Sequence, residues 1–376
     1  MDKTKVQGID IITAVDSGIA KIRTKSLDIS FNELLDMFVD GELKINPEYQ
    51  RLFRWSPEKQ SRFIESLILE MPIPPVFVIE IEEGKYELID GLQRISSYLH
   101  FRGKHPDRTS DDGEPTNLVL ENCDIIKELN GFSYEELPAT IKFKLKRNFV
   151  RLEIIRKESD IRLRYYMFKR LNTGGEILSE QEIRNCTIRL LGDRFNNFLI
   201  DLSTLLGFTN CISNISDEQK KSKYDQELVL RFFTLKNNRD SYKHDVADFM
   251  TDYMEKLSEP DPLINFDYVS EKQIFEKTFD ILNKALGEKV FSPANDNGTL
   301  VARFAAYHFE AFTLGVQKSL SKLNTSDECI SNLKNRFEHI KKEPEFRRLT
   351  TGGGKNTAKE LRSRIEFVEK QIESIL

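Results

Sequence analysis

Val76-Phe77-Val78-Ile79-Glu80-Ile81, Glu82-Glu83-Gly84-Lys85, Tyr86-Glu87-Leu88-Ile89 and Asp90-Gly91-Leu92-Gln93-Arg94 follow one another without a break. The first run is rich in β-formers, the second has turn composition, and the third is β-rich again, which predicts a hairpin. At Asp90 the apolar period changes from 2 to 3.6, with Ile95, Tyr98 and Leu99 on one helical face. A hairpin that feeds straight into a helix sets an α+β class for the front of the chain.

Upstream, Ser30-Phe31-Asn32-Glu33 reads as a capping box opening a short helix that stops near Asp40-Gly41. Ser56-Pro57 reads as N-cap and first residue of a second helix, striped by Phe63, Leu67 and Ile68 and ended by Met71-Pro72-Ile73-Pro74-Pro75. Downstream, residues 103–117 have loop composition and Phe149–Ile155 is a third strand candidate. A helix follows Ser159, and Ser179-Glu180-Gln181-Glu182 caps the next. From about residue 195 the periodicity is almost wholly helical, around 224–235, 242–257, 270–286, 299–320, 325–342 and 357–374. The expected organisation is an α+β domain over 1–195 and an all-helical domain over 196–376.

The chain has 376 residues, 31% of them charged, and a formal charge of −5. That balance speaks against a protein that coats nucleic acid globally, while leaving room for a local basic groove. No apolar run approaches the roughly 20 residues of a membrane span, and no secretion signal is visible behind Met1, so the cytoplasm is the expected location and no membrane partner is expected. Cys123, Cys186, Cys211 and Cys329 form no C-x-x-C pair. They read as buried free thiols, not zinc ligands or a disulfide framework.

Three constellations carry candidate chemistry. In Asp90-Gly91-Leu92-Gln93-Arg94 a helix start supplies unpaired N–H groups and a positive dipole end, and Gly91 admits close approach of a phosphate. Arg94 can fork onto phosphate oxygens, Gln93 can donate to a phosphate or position water, and Asp90 can hold Mg²⁺ or orient the attacking water. The competing reading makes Asp90 an N-cap, Gly91 a turn residue and Arg94 a surface charge. The second constellation, Pro47 to Trp55, sets Tyr49, Gln50, Arg51 and Arg54 beside Phe53 and Trp55. It suits a phosphate or a stacked base, or else Phe53 and Trp55 staple the following helix while the arginines stay solvated. The third, Arg170-Leu171-Asn172-Thr173-Gly174-Gly175 with Ser179, Glu182 and Arg184, is either an anion-binding nest or a plain helix–loop–helix joint.

Taken in order, P-x-Y-Q-R-x-F-x-W, D-G-x-Q-R and L-N-T-G-G-x-x-L-S-x-Q-E-I-R resemble the N-terminal domain of GmrSD-type restriction systems over roughly residues 25–190. Asp225-Gln226-Glu227-Leu228-Val229-Leu230-Arg231-Phe232 resembles the helical extension of many members. The resemblance implies a ParB/sulfiredoxin-like fold with a small mixed sheet. It also implies binding and hydrolysis of a nucleoside triphosphate with Mg²⁺, used to drive or gate attack on foreign DNA. By that resemblance Asp90, Gln93, Arg94 and Arg51 are the catalytic candidates, with Asp90 at the metal. Gly91, Arg94, Arg51, Asn172, Thr173 and Gly174 are the nucleotide-binding candidates. The alternatives are a non-hydrolysing nucleotide-gated regulator that recruits a separate nuclease or ATPase, and a DNA-binding or nicking protein with no nucleotide requirement.

Leu92 stands where the family has a first Gln, so any role of that amide is absent. His244, His308 and His339 lie in no His-Asn-His or Asp-His context, so an HNH nuclease of its own is not expected. Thr351-Gly352-Gly353-Gly354-Lys355-Asn356-Thr357 fails the Walker spacing and reads as a turn, with Asn356 the expected cap of the last helix. Lys142 to Arg170 is markedly basic and is either a nucleic-acid-tracking face or a solvated surface.

Overall fold

The computed structural model describes residues 8–45, 53–108, 116–172, 179–243, 245–259, 265–295 and 297–376. The chain divides into two compact units, Met1–Leu178 and Ser179–Leu376.

Unit 1 holds a five-stranded mixed sheet of β1 (Thr24–Ser30), β2 (Leu43–Lys44), β3 (Val76–Glu82), β4 (Lys85–Asp90) and β5 (Phe149–Ile155), in the order β1-β5-β3-β4-β2. β1 runs antiparallel to β5, β5 parallel to β3, β3 antiparallel to β4, and β4 parallel to β2. Its helices are α1 (Gly8–Ala20), α2 (Phe31–Val39), α3 (Pro57–Ile68), α4 (Leu92–Phe101), α5 (Ala139–Arg147) and α6 (Ile161–Asn172). The expected hairpin is β3–β4, turning at Gly84 with φ +73°. Ser30 and Ser56 cap α2 and α3 by accepting the N–H of Glu33 and Lys59. Fully buried side chains include Phe31 and Leu34 of α2, Ile64 and Leu67 of α3, Ile95 and Leu99 of α4, and Val76, Val78 and Leu88 of the hairpin. Phe31 lies 5.0 Å from Tyr98, ring centre to ring centre, and joins α2 to α4.

β1, β2 and α1 have no counterpart in the sequence reading. β1 is a polar edge strand, Thr-Lys-Ser-Leu-Asp-Ile-Ser, largely exposed, and it gains its partner from β5 over a hundred residues away. β2 is two residues long and is defined by pairing with Tyr86 and Glu87.

Unit 2 is helical: α7 (Glu180–Thr187), α8 (Arg194–Ser203), α9 (Leu206–Cys211), α10 (Asp217–Lys221), α11 (Tyr224–Asn238), α12 (Val246–Ser258), α13 (Tyr268–Leu286), α14 (Ala306–Gly315), α15 (Asp327–Lys342), α16 (Pro344–Thr350) and α17 (Ala358–Glu373). The expected helix over 299–320 is shorter. Ala294 bridges Leu300 and the Ala305 N–H donates to the Phe291 carbonyl, so helical bonding starts only at Ala306. Thr357, not Asn356, caps α17, because its hydroxyl reaches the Glu360 N–H while the Asn356 carbonyl accepts from the Tyr242 hydroxyl. An aromatic cluster fills the centre, with Phe279 4.4 Å from Phe275 and 4.9 Å from Phe208.

Candidate functional site

Asp90 ends β4, and Gly91 turns the chain into α4 with φ +105° and ψ 10°. That left-handed geometry favours glycine, and a Cβ there would lie 2.9 Å from a Val76 methyl. The N-cap is therefore Gly91, which offers no side-chain bond, and Asp90 does not cap the helix. The Asp90 carboxylate instead accepts from Arg94 Nη2 at 2.8 Å. Arg94 Nη1 donates to the carbonyls of Pro74 and Pro75, the second at 3.0 Å. With its side chain only 13% exposed, Arg94 is not a solvated surface charge. It fastens the proline turn before β3 to the β4–α4 joint.

Gln93 reaches the second constellation. Its Oε1 accepts from the backbone N–H of both Arg54 and Trp55, each at 3.0 Å. Trp55 packs edge-on against Phe63 of α3 at 5.9 Å, as the staple reading expects. Phe53 is buried, stacked on His105 at 5.1 Å, with the Arg108 guanidinium 5.2 Å from its ring centre. The aromatic pair thus serves packing within the unit. Arg51 lies outside the described residues.

Behind this segment is a polar chain that the sequence reading passed over. The buried Gln60 amide donates to the Trp55 carbonyl at 2.8 Å, which turns its oxygen toward His100 Nδ1, also at 2.8 Å. The imidazole therefore donates from Nδ1. Burial, chiefly, and the Arg108 charge nearby hold His100 down at about 4; burial likewise holds His105 at about 4. Both rings are neutral at pH 7. The spacing of Gln60 to His100, forty residues, gave no linear signal.

Of the third constellation, Thr173 and Gly174 lie outside the described residues, as does the side chain of Asn172. Gly175 lies outside them too, Arg170 and Leu171 end α6 in unit 1, and Ser179, Glu182 and Arg184 belong to unit 2. Ser179 and Glu182 form a complete capping box on α7. Arg184 is buried, donating to Thr251 Oγ1 at 2.9 Å, Gln181 Oε1 at 3.0 Å and the Ala247 carbonyl at 3.1 Å. The run Asp225–Phe232 continues the same lattice: Asn185 donates to Gln226 at 2.6 Å, and Arg231 binds Glu310 at 2.8 Å. The glycines of the loop before α17 are exposed, and the loop is tied down beyond them, where Arg364 Nη1 donates to the Lys355 carbonyl at 2.8 Å.

Two constellations thus meet at one strand-to-helix joint in unit 1. Residues 31–189 match the family of the GmrSD restriction endonuclease, N-terminal domain. This segment is a GmrSD-type N-terminal domain. The match lies in less than half of the chain and indicates a restriction-system component. No curated protein and no solved structure matches the chain significantly.

Within the GmrSD-type domain the basic run resolves into separate pairs. Lys142 is 3.5 Å from Glu135, Arg151 2.9 Å from Asp28, and Arg156 within 3.4 Å of both Glu80 and Glu158. Lys146 and Arg147 have no acidic partner among the described residues. Among the described residues no three His, Cys, Asp or Glu side chains gather into a metal-holding group. Asp90 offers one carboxylate, and Arg94 holds one of its oxygens. Mg²⁺ needs only one or two carboxylates when substrate phosphates supply the other ligands. The residues therefore fit an ion that arrives on phosphates, with Asp90 beside it, and not a resident ion. No helix of the described residues is long and apolar enough to cross a membrane.

Proposed function

We propose that this restriction-system component binds a nucleoside triphosphate at Asp90–Arg94 and hydrolyses it, the DNA-cutting step belonging to a partner nuclease or ATPase assembly. The observation that carries the reading is the convergence of two motifs: Gln93 of the D-G-x-Q-R pentad grips the backbone of Arg54 and Trp55. Residues 38 and 39 positions apart would have no reason to share a ligand unless the fold drew them together. The ten-residue helix α4 adds a positive dipole end at its start.

In this reading a phosphate replaces Asp90 at the Arg94 guanidinium. Arg94 neutralises charge that grows on the transferring phosphoryl group, and Asp90, once released, orients the attacking water beside the phosphate-borne Mg²⁺. Mg²⁺ supplies charge neutralisation on the phosphate oxygens when bound. Arg51, Asn172, Thr173 and Gly174 remain nucleotide-binding candidates of the same proposal. Phosphate release is measured with each of the four common triphosphates on the full chain. Wild type releases phosphate from at least one, and Arg94→Ala lowers that rate at least tenfold. Equal rates overturn the reading.

One observation favours a second reading. Every Arg94 contact to Asp90, Pro74 and Pro75 would shift if a phosphate took Asp90's place, which is also how a binding-gated switch would work. Calorimetric binding of a triphosphate with no phosphate release would favour the switch.

A further inference from the structure

A groove of about 660 Å³ lies on unit 1 between α5, the start of β5 and the Glu70–Ile73 turn, and neither Asp90 nor Arg94 lines it. Its lining mixes aromatic and cationic side chains in a repeated arrangement. On α5, Phe143 and Arg147 are one helical turn apart, and the Arg147 guanidinium sits 5.9 Å from the Phe143 ring centre. On β5, Phe149 and Arg151 are two residues apart and so share one face of the strand. Phe143 is 57% and Phe149 65% exposed. Two phenylalanines left this open in one groove make an apolar surface that a partner can cover.

The charges decide what kind of partner suits it. Arg147 and the neighbouring Lys146 have no acidic partner among the described residues. Lys144 and Arg151 are shared with Glu70 at 3.4 Å and Asp28 at 2.9 Å. Both pairs are about half exposed; a phosphate can take Lys144 from its single contact with Glu70, and to take Arg151 it must replace both bonds to Asp28, at 2.9 and 3.0 Å. An acidic peptide would use the cations and leave the ring faces bare. An apolar helix would cover the rings and strand Arg147. A chain of phosphates carrying flat, stackable bases uses both.

We infer that this groove binds single-stranded nucleic acid, with bases stacked on Phe143 and Phe149 and the backbone tracked by Arg147, Lys144 and Arg151. Every base has a π-face, so the site selects unpaired strands over sequence. The inference does not depend on the nucleotide reading, because none of these residues belongs to the Asp90–Arg94 joint.

The test is fluorescence anisotropy of a labelled twenty-nucleotide oligothymidylate and of a blunt duplex of equal length, with the full chain, at low and moderate salt and without triphosphate. Wild type binds the single strand at least tenfold more tightly than the duplex. The double variant Phe143→Ala/Phe149→Ala loses at least tenfold on the single strand. Arg147→Glu weakens binding and flattens its salt dependence. Because both rings are mostly exposed, the alanine variants keep the wild-type melting profile. Absence of wild-type binding, equal affinity for duplex, or undiminished binding by the folded double variant overturns the inference. So does a wild-type dimer, seen by light scattering, that the double variant abolishes without loss of single-strand affinity.

Discussion

Gly91 is the residue on which the joint turns. A side chain there meets both an unfavourable φ and the Val76 methyl, so Gly91→Ala is expected to destabilise unit 1 by about 1–3 kcal/mol. Trp55 is the sole tryptophan and lies in this unit, so a urea titration followed by its fluorescence reads the loss directly. Gln93 allows a finer test. Gln93→Glu keeps an oxygen for the Arg54 and Trp55 N–H groups, whereas Gln93→Ala does not. The alanine variant should shift Trp55 emission and lower the urea midpoint, and the glutamate variant should do neither. At this scale the sequence carried the glycine and the strand-to-helix switch, because both are local. It could not show that Arg94 would be fastened by carbonyls twenty residues back, or that Asp90 would bind Arg94 and not the helix end.

Elements with their own signals were legible: the hairpin, the Ser-capped starts of α2 and α3 and the Ser179 box rest on bonds within a few residues, and β5 is a run rich in β-formers although its partners are distant. β1 and β2 were not, since a polar edge strand and a two-residue strand exist only by virtue of distant partners. Non-local polar contacts hold other joints. The buried Glu65 carboxylate of α3 accepts the N–H groups of Asp124, Ile125 and Ile126. Glu65→Ala strands those donors and should cost about 1–3 kcal/mol, read as a lower urea midpoint at the Trp55 probe. His100 and His105 give the element behind Trp55 a pH response. Each titrates at about 4 when folded, against 6.5 ordinarily. Between those values the unfolded chain takes up protons that the folded chain refuses, so stability falls as pH drops from about 6.5 toward 4. The urea midpoint should decline through that window and decline less in His100→Gln/His105→Gln.

At the scale of the molecule, each unit has a core of a different kind. Unit 1 is organised by a mixed sheet, and unit 2 by aromatic rings packed largely edge-on or tilted and threaded with buried charge. Glu310 is the hinge of that charge lattice, 2.8 Å from Arg231 and 2.6 Å from Arg364. Removing it in Glu310→Ala leaves the buried Arg364 guanidinium without its carboxylate and Arg231 with Glu227 alone, at a cost of about 3–5 kcal/mol. The melting of helical signal in circular dichroism should show it. That lattice also absorbs Gln181, Asn185 and Arg184, the last of which the sequence placed with the candidate nest.

The central claim is that a triphosphate sits on the Asp90–Arg94 joint. Its most direct test is calorimetric titration of the full chain with a non-hydrolysable triphosphate and Mg²⁺, comparing wild type, Arg94→Lys and Arg94→Ala, with the Trp55 melt confirming that each is folded. The account predicts saturable binding by wild type, weaker binding by lysine, and at least tenfold loss with alanine. The same affinity in wild type and a folded Arg94→Ala would contradict it.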